Sequence, residues 1–279
     1  MTTTATKATN TASSPGVSAV EAPHVLRHDE GGVAQLTLNR PERFNPLSAA
    51  MIAALQAELD AIASDASVRV VVLAAAGRGF SAGHDLKELH AHLADKDWQR
   101  RLFDDCSRMM VTMTRLPQPF IARVQGIATA AGCQLVSMCD LVVAAETATF
   151  ALPGVNVGVF CSTPAVGVGR SVGRKRAMEM LLTGKPIDAR TALDWGLVNR
   201  VAPAGEIDAQ IRQFTDEILA KSAAVIGLGK KVFYEQLDRP LSAAYDTAGK
   251  AMAANLGLDD AAEGIDAFLQ KRPPSWRGR

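Results

Sequence analysis

Before residue 150 the chain twice repeats one order of elements: a short apolar strand, a loop of glycine and alanine, then a helix. The strand of the first pass is Arg69 to Ala75, RVVVLAA. It is rich in β-branched residues and too uniformly apolar to have a solvent face, the composition of a strand covered on both sides. Gly77 to Gly83 follows as a backbone-permissive loop. A helix is predicted from about Asp97 to Leu116, closed before Pro117. The second pass has a strand at Phe120–Val124, an apolar small-residue stretch from Ile127 to Met138 that reads as a buried helix, and a strand at Leu141–Ala145. Parallel strands need crossovers, so this order predicts an α/β fold with a largely parallel sheet. Upstream, Val33–Leu38 alternates as a half-buried strand, and Leu47 to Ser64 has helical spacing with Ser48 as its cap. After Arg170 the pattern is helical: Ala177–Leu182, Ala189–Asp194, Glu206–Lys221, Ala223–Leu237, Leu241–Leu256 and Asp260–Gln270. A helical last third reads as packing or assembly surface.

Lysine plus arginine total 30 against 29 acidic residues, which argues against a nucleic-acid binder working by bulk charge. Thr147 to Gly169 holds no charge at all. That length could span a membrane, but the run contains Pro153, Pro164, Asn156 and four glycines, so it reads as buried loop and strand, and no membrane partner is expected. The four cysteines form no C-x-x-C pair, which predicts a reducing, cytoplasmic setting. Residues 1–23 are Thr-, Ala- and Ser-rich and read as a disordered tail. They have no apolar segment for secretion, and the first arginine, Arg27, comes too late for a mitochondrial presequence.

Gly79-Phe80-Ser81-Ala82-Gly83 matches the G-x-S-x-G elbow of serine hydrolases. That chemistry needs a histidine well downstream, and none follows His92. His84, His90, His92 and Asp85 lack metal-ligand spacing, so no metal site is expected. Gly167, Gly169 and Gly173 have the wrong spacing for a dinucleotide loop and read as loop glycines before a helix at Arg174. Two loops are left, Phe80–Leu86 and Gly126–Gln134, each after a strand. Small side chains let backbone N–H groups approach a ligand, the second loop runs into a helix N-terminus, and two N–H groups aimed at one point stabilise an oxyanion.

These residues resemble the crotonase superfamily, the enoyl-CoA hydratase/isomerase family. The resemblance rests on LNRPERFNPL (Leu38–Leu47), FSAGHDLKEL (Phe80–Leu89), VQGIATAAGCQL (Val124–Leu135), MCD (Met138–Asp140), AMEMLLTGKPI (Ala177–Ile187) and AFLQKR (Ala267–Arg272). PGVNVGVFCSTP (Pro153–Pro164) is most similar to the branch called enoyl-CoA hydratase domain-containing protein 3. The resemblance implies a crotonase-like (ClpP/crotonase) α/β spiral of β-β-α units over residues 24–205. It implies a helical region over 206–279 that builds homotrimers or hexamers, and fatty-acid-type acyl-CoA chemistry. It implies no tightly bound cofactor, with coenzyme A entering as part of the thioester substrate. It also implies that the oxyanion N–H groups are those of His84 and Ala131. Arg43, Lys87 and Lys271 fall where cations approach coenzyme A, Lys271 from a neighbouring subunit. Ser81, Ala82, Asp85, Leu86, Gly132, Cys161 and Phe268 complete the implied substrate site.

Two departures stand out. Hydratases use two glutamates as base and acid, and the matching positions hold Gln134 and Gly154. Glutamine orients water but exchanges no proton near neutral pH. The reading is therefore a hydratase-like lyase with ordinary hydration weak or absent. The alternatives are decarboxylation or thioester cleavage on the same oxyanion site, or non-catalytic acyl-CoA binding. Restoring both carboxylates, Gln134→Glu with Gly154→Glu, is expected to raise hydration. Among substitutes, Asp85 reads as a helix cap, the His84 ring as solvent-facing and Cys161 as a buried inert thiol.

Overall fold

The computed structural model describes residues 1–2 and 22–278, so most of the predicted disordered tail lies outside the described residues. The strands are β1 (Val25–Glu30), β2 (Val33–Leu38), β3 (Val70–Ala75), β4 (Phe120–Val124), β5 (Ala128–Thr129), β6 (Leu141–Ala145), β7 (Thr149–Ala151), β8 (Ile187–Asp188) and β9 (Arg200–Ala202). The helices up to the sheet's last strand are α1 (Ala49–Ala63), α2 (Leu86–Ala91), α3 (Lys96–Arg115), α4 (Ala131–Ser137), α5 (Ser162–Val172), α6 (Arg174–Thr183) and α7 (Ala189–Trp195). Four more follow: α8 (Ile207–Leu219), α9 (Ala223–Gln236), α10 (Leu241–Leu256) and α11 (Asp259–Leu269).

Six strands form the main sheet in the order β1-β2-β3-β4-β6-β9. β1 and β2 are an antiparallel hairpin turned by Gly31 and Gly32, both at positive φ as a two-residue hairpin requires. Every later neighbour is parallel. The predicted double coverage of β3 holds, since all six of its residues are buried. A second, three-stranded sheet runs β5-β7-β8. Isolated bridges extend its line, Ser81 to Ala128 and Leu47 to His84. One circuit of chain thus lays a long strand in the main sheet, a short one in the second layer, and returns by a helix. This is the spiral of β-β-α turns that the resemblance implies, and it brings the two glycine-alanine loops side by side.

Ser48 caps α1 by accepting from Met51 N–H, and Asp95 caps α3 by accepting from Trp98 N–H. In two places the predicted elements differ. The stretch Ile127–Met138 is not all helix: Ala128–Thr129 pairs with β7, and only then does α4 begin. The charge-free run is buried only in part, at Ala148, Phe150 to Leu152, Cys161 and Val168 among others. It then forms a 3-10 turn at Pro153–Val157, an exposed stretch to Phe160, and α5. Gly167 and Gly169 therefore lie inside a helix and only Gly173 lies between helices. A side chain on Gly167 would strike Ser137 Oγ, with Met138 Sδ 2.9 Å away, so its absence lets α5 close on α4.

The C-terminal helices are tied to the sheet by one buried ion cluster. Lys230 Nζ on α9 lies 2.6 Å from Asp140 Oδ2 and donates to the carbonyls of Met113 and Gln118. Tyr234 donates to the other Asp140 oxygen at 2.8 Å. Beyond this anchor, Leu241, Tyr245, Met252, Leu256, Phe268 and Leu269 stand exposed on α10 and α11. No helix among the described residues is long and apolar enough to cross a membrane.

Candidate active site

The site is built where the loop after β3 meets the loop around β5. Gly83, at φ +84°, is in the left-handed region. A Cβ there would lie 2.8 Å from Ala130 Cβ, 2.9 Å from Thr129 O and 3.1 Å from Ala131 N. From the other side a Cβ on Gly132 would collide with the Ser81 carbonyl and lie 2.7 Å from Ser81 Cβ. Both glycines are needed for contact, not only for flexibility. Ala130 adopts φ 50°, ψ −120°, a conformation that L-residues rarely take, and this turn presents Ala131 N–H.

The neighbouring amides are satisfied within the loops. Ser81 N–H donates to Ile127 O, Ala82 N–H to Phe44 O, Gly83 N–H to Ser81 Oγ, Thr129 N–H to Ser81 O and Ala130 N–H to Ala151 O. The N–H groups of His84 and Ala131 have no acceptor among the described residues. Unpaired backbone donors are rare in a folded interior, and here two come from two loops pressed together.

Ser81 is no nucleophile. Its hydroxyl donates to Asn45 O at 2.9 Å and is fully buried. Asn45, itself buried at φ +51°, donates to Ala76 O and Gly79 O and accepts from Arg40 N–H, so it braces the whole loop. Asp85 has the capping role read from sequence: it accepts from Lys87 and Glu88 N–H. Its other oxygen lies 2.5 Å from Arg43 Nη2. That pair ties the Arg43 loop to the site and leaves Asp85 engaged.

The His84 ring corrects the sequence expectation, since it does not face solvent. Nδ1 lies 3.0 Å from Leu47 O, and the ring meets the edge of Phe103 at 5.3 Å between centroids. Nε2 is buried without a partner. Burial holds the imidazolium below its ordinary pKa, outweighing the Leu47 carbonyl and Glu88. Gln134, 4% exposed on the first turns of α4, likewise leaves Oε1 buried and unpartnered.

Gly154 opens the 3-10 turn opposite Cys161. A Cβ on Gly154 would collide with the carbonyl oxygen of Val159 and lie 2.8 Å from Cys161 Sγ. Burial pushes the Cys161 thiol up, outweighing the hydrogen bond from Gly154 N–H, as expected of an inert thiol.

The remaining implied residues are dispersed. Ala82, Leu86 and Lys87 are exposed beside the loop, Leu86 at 61%. Phe268, 82% exposed, and Lys271 lie at the end of α11, which packs on α9 and α10. Sequence reasoning missed Asn45 as the brace, Leu47 and Phe103 as the holders of His84, and Val159 as the wall at Gly154. Asn45, Leu47 and Val159 stand in the quoted motifs, but Val159 acts through its backbone oxygen, which no residue type signals, and Phe103 lies in none of them.

The family model for enoyl-CoA hydratase/isomerase matches residues 28–279. The chain is 45% identical over 247 residues to the mitochondrial enoyl-CoA hydratase domain-containing protein 3 of Mus musculus, covering 88% of this chain and 82% of that protein. The crystal structure of the human protein of that name is 44% identical, covers 91% of this chain and 100% of that one, and superposes with a TM-score of 0.88. An enoyl-CoA hydratase crystal structure from Mycobacterium smegmatis is 51% identical, covers 91% of this chain and 99% of that one, with a TM-score of 0.89. The mouse relative is mitochondrial by name, which stands against taking the cysteines as a sign of the cytoplasm. Four free, buried thiols fit any reducing compartment.

Proposed function

Because the chain belongs to the enoyl-CoA hydratase/isomerase family, we propose that it binds an acyl-CoA thioester with the carbonyl oxygen between the N–H groups of His84 and Ala131. The observation that carries this reading is the pair of unsatisfied amides on two loops held in contact at Gly83 and Gly132. Donors fixed before the reaction stabilise negative charge developing on the carbonyl without reorganisation at that moment. The chemistry this supports is formation of an enolate from the thioester.

Ordinary hydration is weak or absent in this reading. Gln134 orients a ligand or water through its amide but is neither an acid nor a base near neutral pH. Gly154 has no side chain, and Val159 O and Cys161 Sγ fill the space where one would start. That filled space favours a second reading, decarboxylation. A substrate that generates its own enolate by losing carbon dioxide needs the two amides more than it needs an acid and a base. Arg43 and Lys87 stand on the exposed side of the same loops as candidate coenzyme A contacts. The apolar side chains of α10 and α11 support self-association, with Phe268 and Lys271 then reaching a neighbouring subunit's site. The reducing interior implied by the thiols is shared by the cytoplasm and a mitochondrial matrix.

The test is calorimetric titration with butyryl-CoA and free coenzyme A, beside turnover of crotonyl-CoA and malonyl-CoA. Butyryl-CoA should bind and crotonyl-CoA should hydrate far below the rate of a two-glutamate enzyme assayed alongside. No binding of any thioester sinks the acyl-CoA reading. Rapid crotonyl-CoA hydration sinks the weak-hydratase part.

A further inference from the structure

Among the described residues four polar groups on the two loops and the helix that follows have no partner: the amides of His84 and Ala131, and the buried Gln134 Oε1 and His84 Nε2. Their chemistry differs. The amides are donors, Gln134 Oε1 is an acceptor that cannot take a proton near neutrality, and the histidine nitrogen can. The Leu47 contact fixes which ring nitrogen is which. A carbonyl oxygen only accepts, so Nδ1, 3.0 Å from Leu47 O, carries the ring hydrogen and Nε2 carries the lone pair. Phe103 packs against the ring edge and holds it. The other titratable groups nearby are engaged. Asp85 caps α2 and is paired with Arg43, and Glu88 accepts from Ala49 N–H at 3.0 Å. Cys161 is a buried thiol bonded from Gly154 N–H.

We propose that His84 Nε2 is the proton acceptor of this site, working on the α-hydrogen of the thioester whose carbonyl its own backbone N–H binds. The inference rests on the acyl-CoA reading above. In the step, the Cα–H bond breaks and an N–H bond forms at Nε2. The electron pair moves into the Cα–carbonyl bond, and the negative charge settles on the carbonyl oxygen between the two amides. The ring becomes an imidazolium and returns the proton to carbon in the reverse direction. No co-reactant is required. Gln134 Oε1 accepts from a donor on the bound acyl group or from water and moves no proton. One residue thus contributes twice, by its backbone to the oxyanion and by its side chain to the proton.

The experiment is α-hydrogen exchange of butyryl-CoA with the full chain in deuterium oxide, read by mass spectrometry, beside the Kd for the same thioester. Wild type should wash deuterium into the α position. His84→Asn keeps the backbone amide and an N–H for Leu47 O but has no basic nitrogen. It should lose about 100-fold or more in exchange rate with Kd within about threefold. His84→Gln, whose amide falls near the Nε2 position and likewise has no basic nitrogen, is the second variant should the asparagine variant fold poorly, and thermal melting checks both. Binding without exchange in wild type overturns the inference and leaves the acyl-CoA reading intact, as does unchanged exchange in a folded variant. No binding of butyryl-CoA by wild type overturns both.

Discussion

Cys161 Sγ stands 2.8 Å from where a side chain on Gly154 would begin, and the Val159 carbonyl oxygen stands closer still. The position that the family resemblance matches to the second hydratase glutamate is therefore walled, not merely empty. A backbone oxygen cannot swing aside as the end of a long side chain can, so any residue larger than glycine must move the 155–160 segment. Gly154→Glu is expected to destabilise the fold by about 1–3 kcal/mol through overpacking. The double variant Gln134→Glu with Gly154→Glu should hydrate crotonyl-CoA no faster than Gln134→Glu alone. This reverses the expectation from sequence, in which position 154 was a vacancy. Following loss of the enoyl absorbance in the four proteins of the cycle decides it: a synergistic rise would show that the segment yields.

Much of the fold was legible and the reasons are local. β3 announces itself by a run of consecutive apolar residues, α1 by helical spacing with Ser48 at its start, and the end of α3 by Pro117. β5, β8 and β9, of two or three residues each, are too short for any period to register. Gly167 looked like a loop residue because its function is to let α5 approach Met138, a partner far away in sequence. The site divides the same way. The roles of His84, Ala131, Gln134 and Gly154 are what the resemblance implies, and the structure adds their surroundings. The burial of the His84 ring depends on Leu47, just before the α1 cap, and on Phe103 of α3, and the wall at Gly154 is backbone, which has no residue-type signature.

Gly83 should tolerate no side chain. At φ +84° an alanine is strained whatever the space, and its methyl would sit 3.1 Å from Ala131 N and 2.8 Å from Ala130 Cβ. Either the loops separate or Ala131 N–H turns away. Gly83→Ala is expected to weaken butyryl-CoA binding about tenfold or more, equivalent to about 1.4 kcal/mol. Gly205→Ala, in open space and at an unstrained φ, is the control and should bind as wild type. Equal affinities in calorimetry would mean that the contact between the loops does not form the thioester site.

The Asp140 cluster should dominate how firmly the C-terminal helices hold to the sheet. Lys230 is 6% exposed and Asp140 18%, so removing one partner strands the other charge in a place water barely reaches. Asp140 also accepts from Phe120 N–H and Tyr234 OH. Asp140→Ala is expected to cost about 3–5 kcal/mol. Tyr234→Phe removes one hydrogen bond to a charged acceptor and should cost about 1.5–3 kcal/mol. Urea melts of the three proteins give the order directly. If Tyr234→Phe costs as much as Asp140→Ala, the ion pair is not what anchors α9.

The C-terminal end should release from the body in acid before the fold is lost. Glu263 accepts from both Arg272 terminal nitrogens and from Ser275 N–H, and the Arg272 guanidinium foremost holds its carboxyl at about 2 against an ordinary 4.5. Asp260 accepts from Ser222 Oγ and from the N–H groups of Arg277 and Gly278. Its burial opposes the charge, but these donors outweigh it and hold the carboxyl below its usual range. Both groups are more acidic folded than unfolded, so their stabilisation is complete above the ordinary carboxylate range. For Glu263 it fades as pH falls from about 4.5 through about 2. Trp276 reports on the event, because its indole N–H donates to Ala220 O at 2.8 Å and its ring packs over Gly264. Its fluorescence should change in that window while the far-ultraviolet circular dichroism stays constant, and Trp276→Phe should abolish the change. In Glu263→Gln the end is already weakened near neutrality, so the transition should shrink. A transition that is the same in Glu263→Gln as in wild type would show that another group controls release.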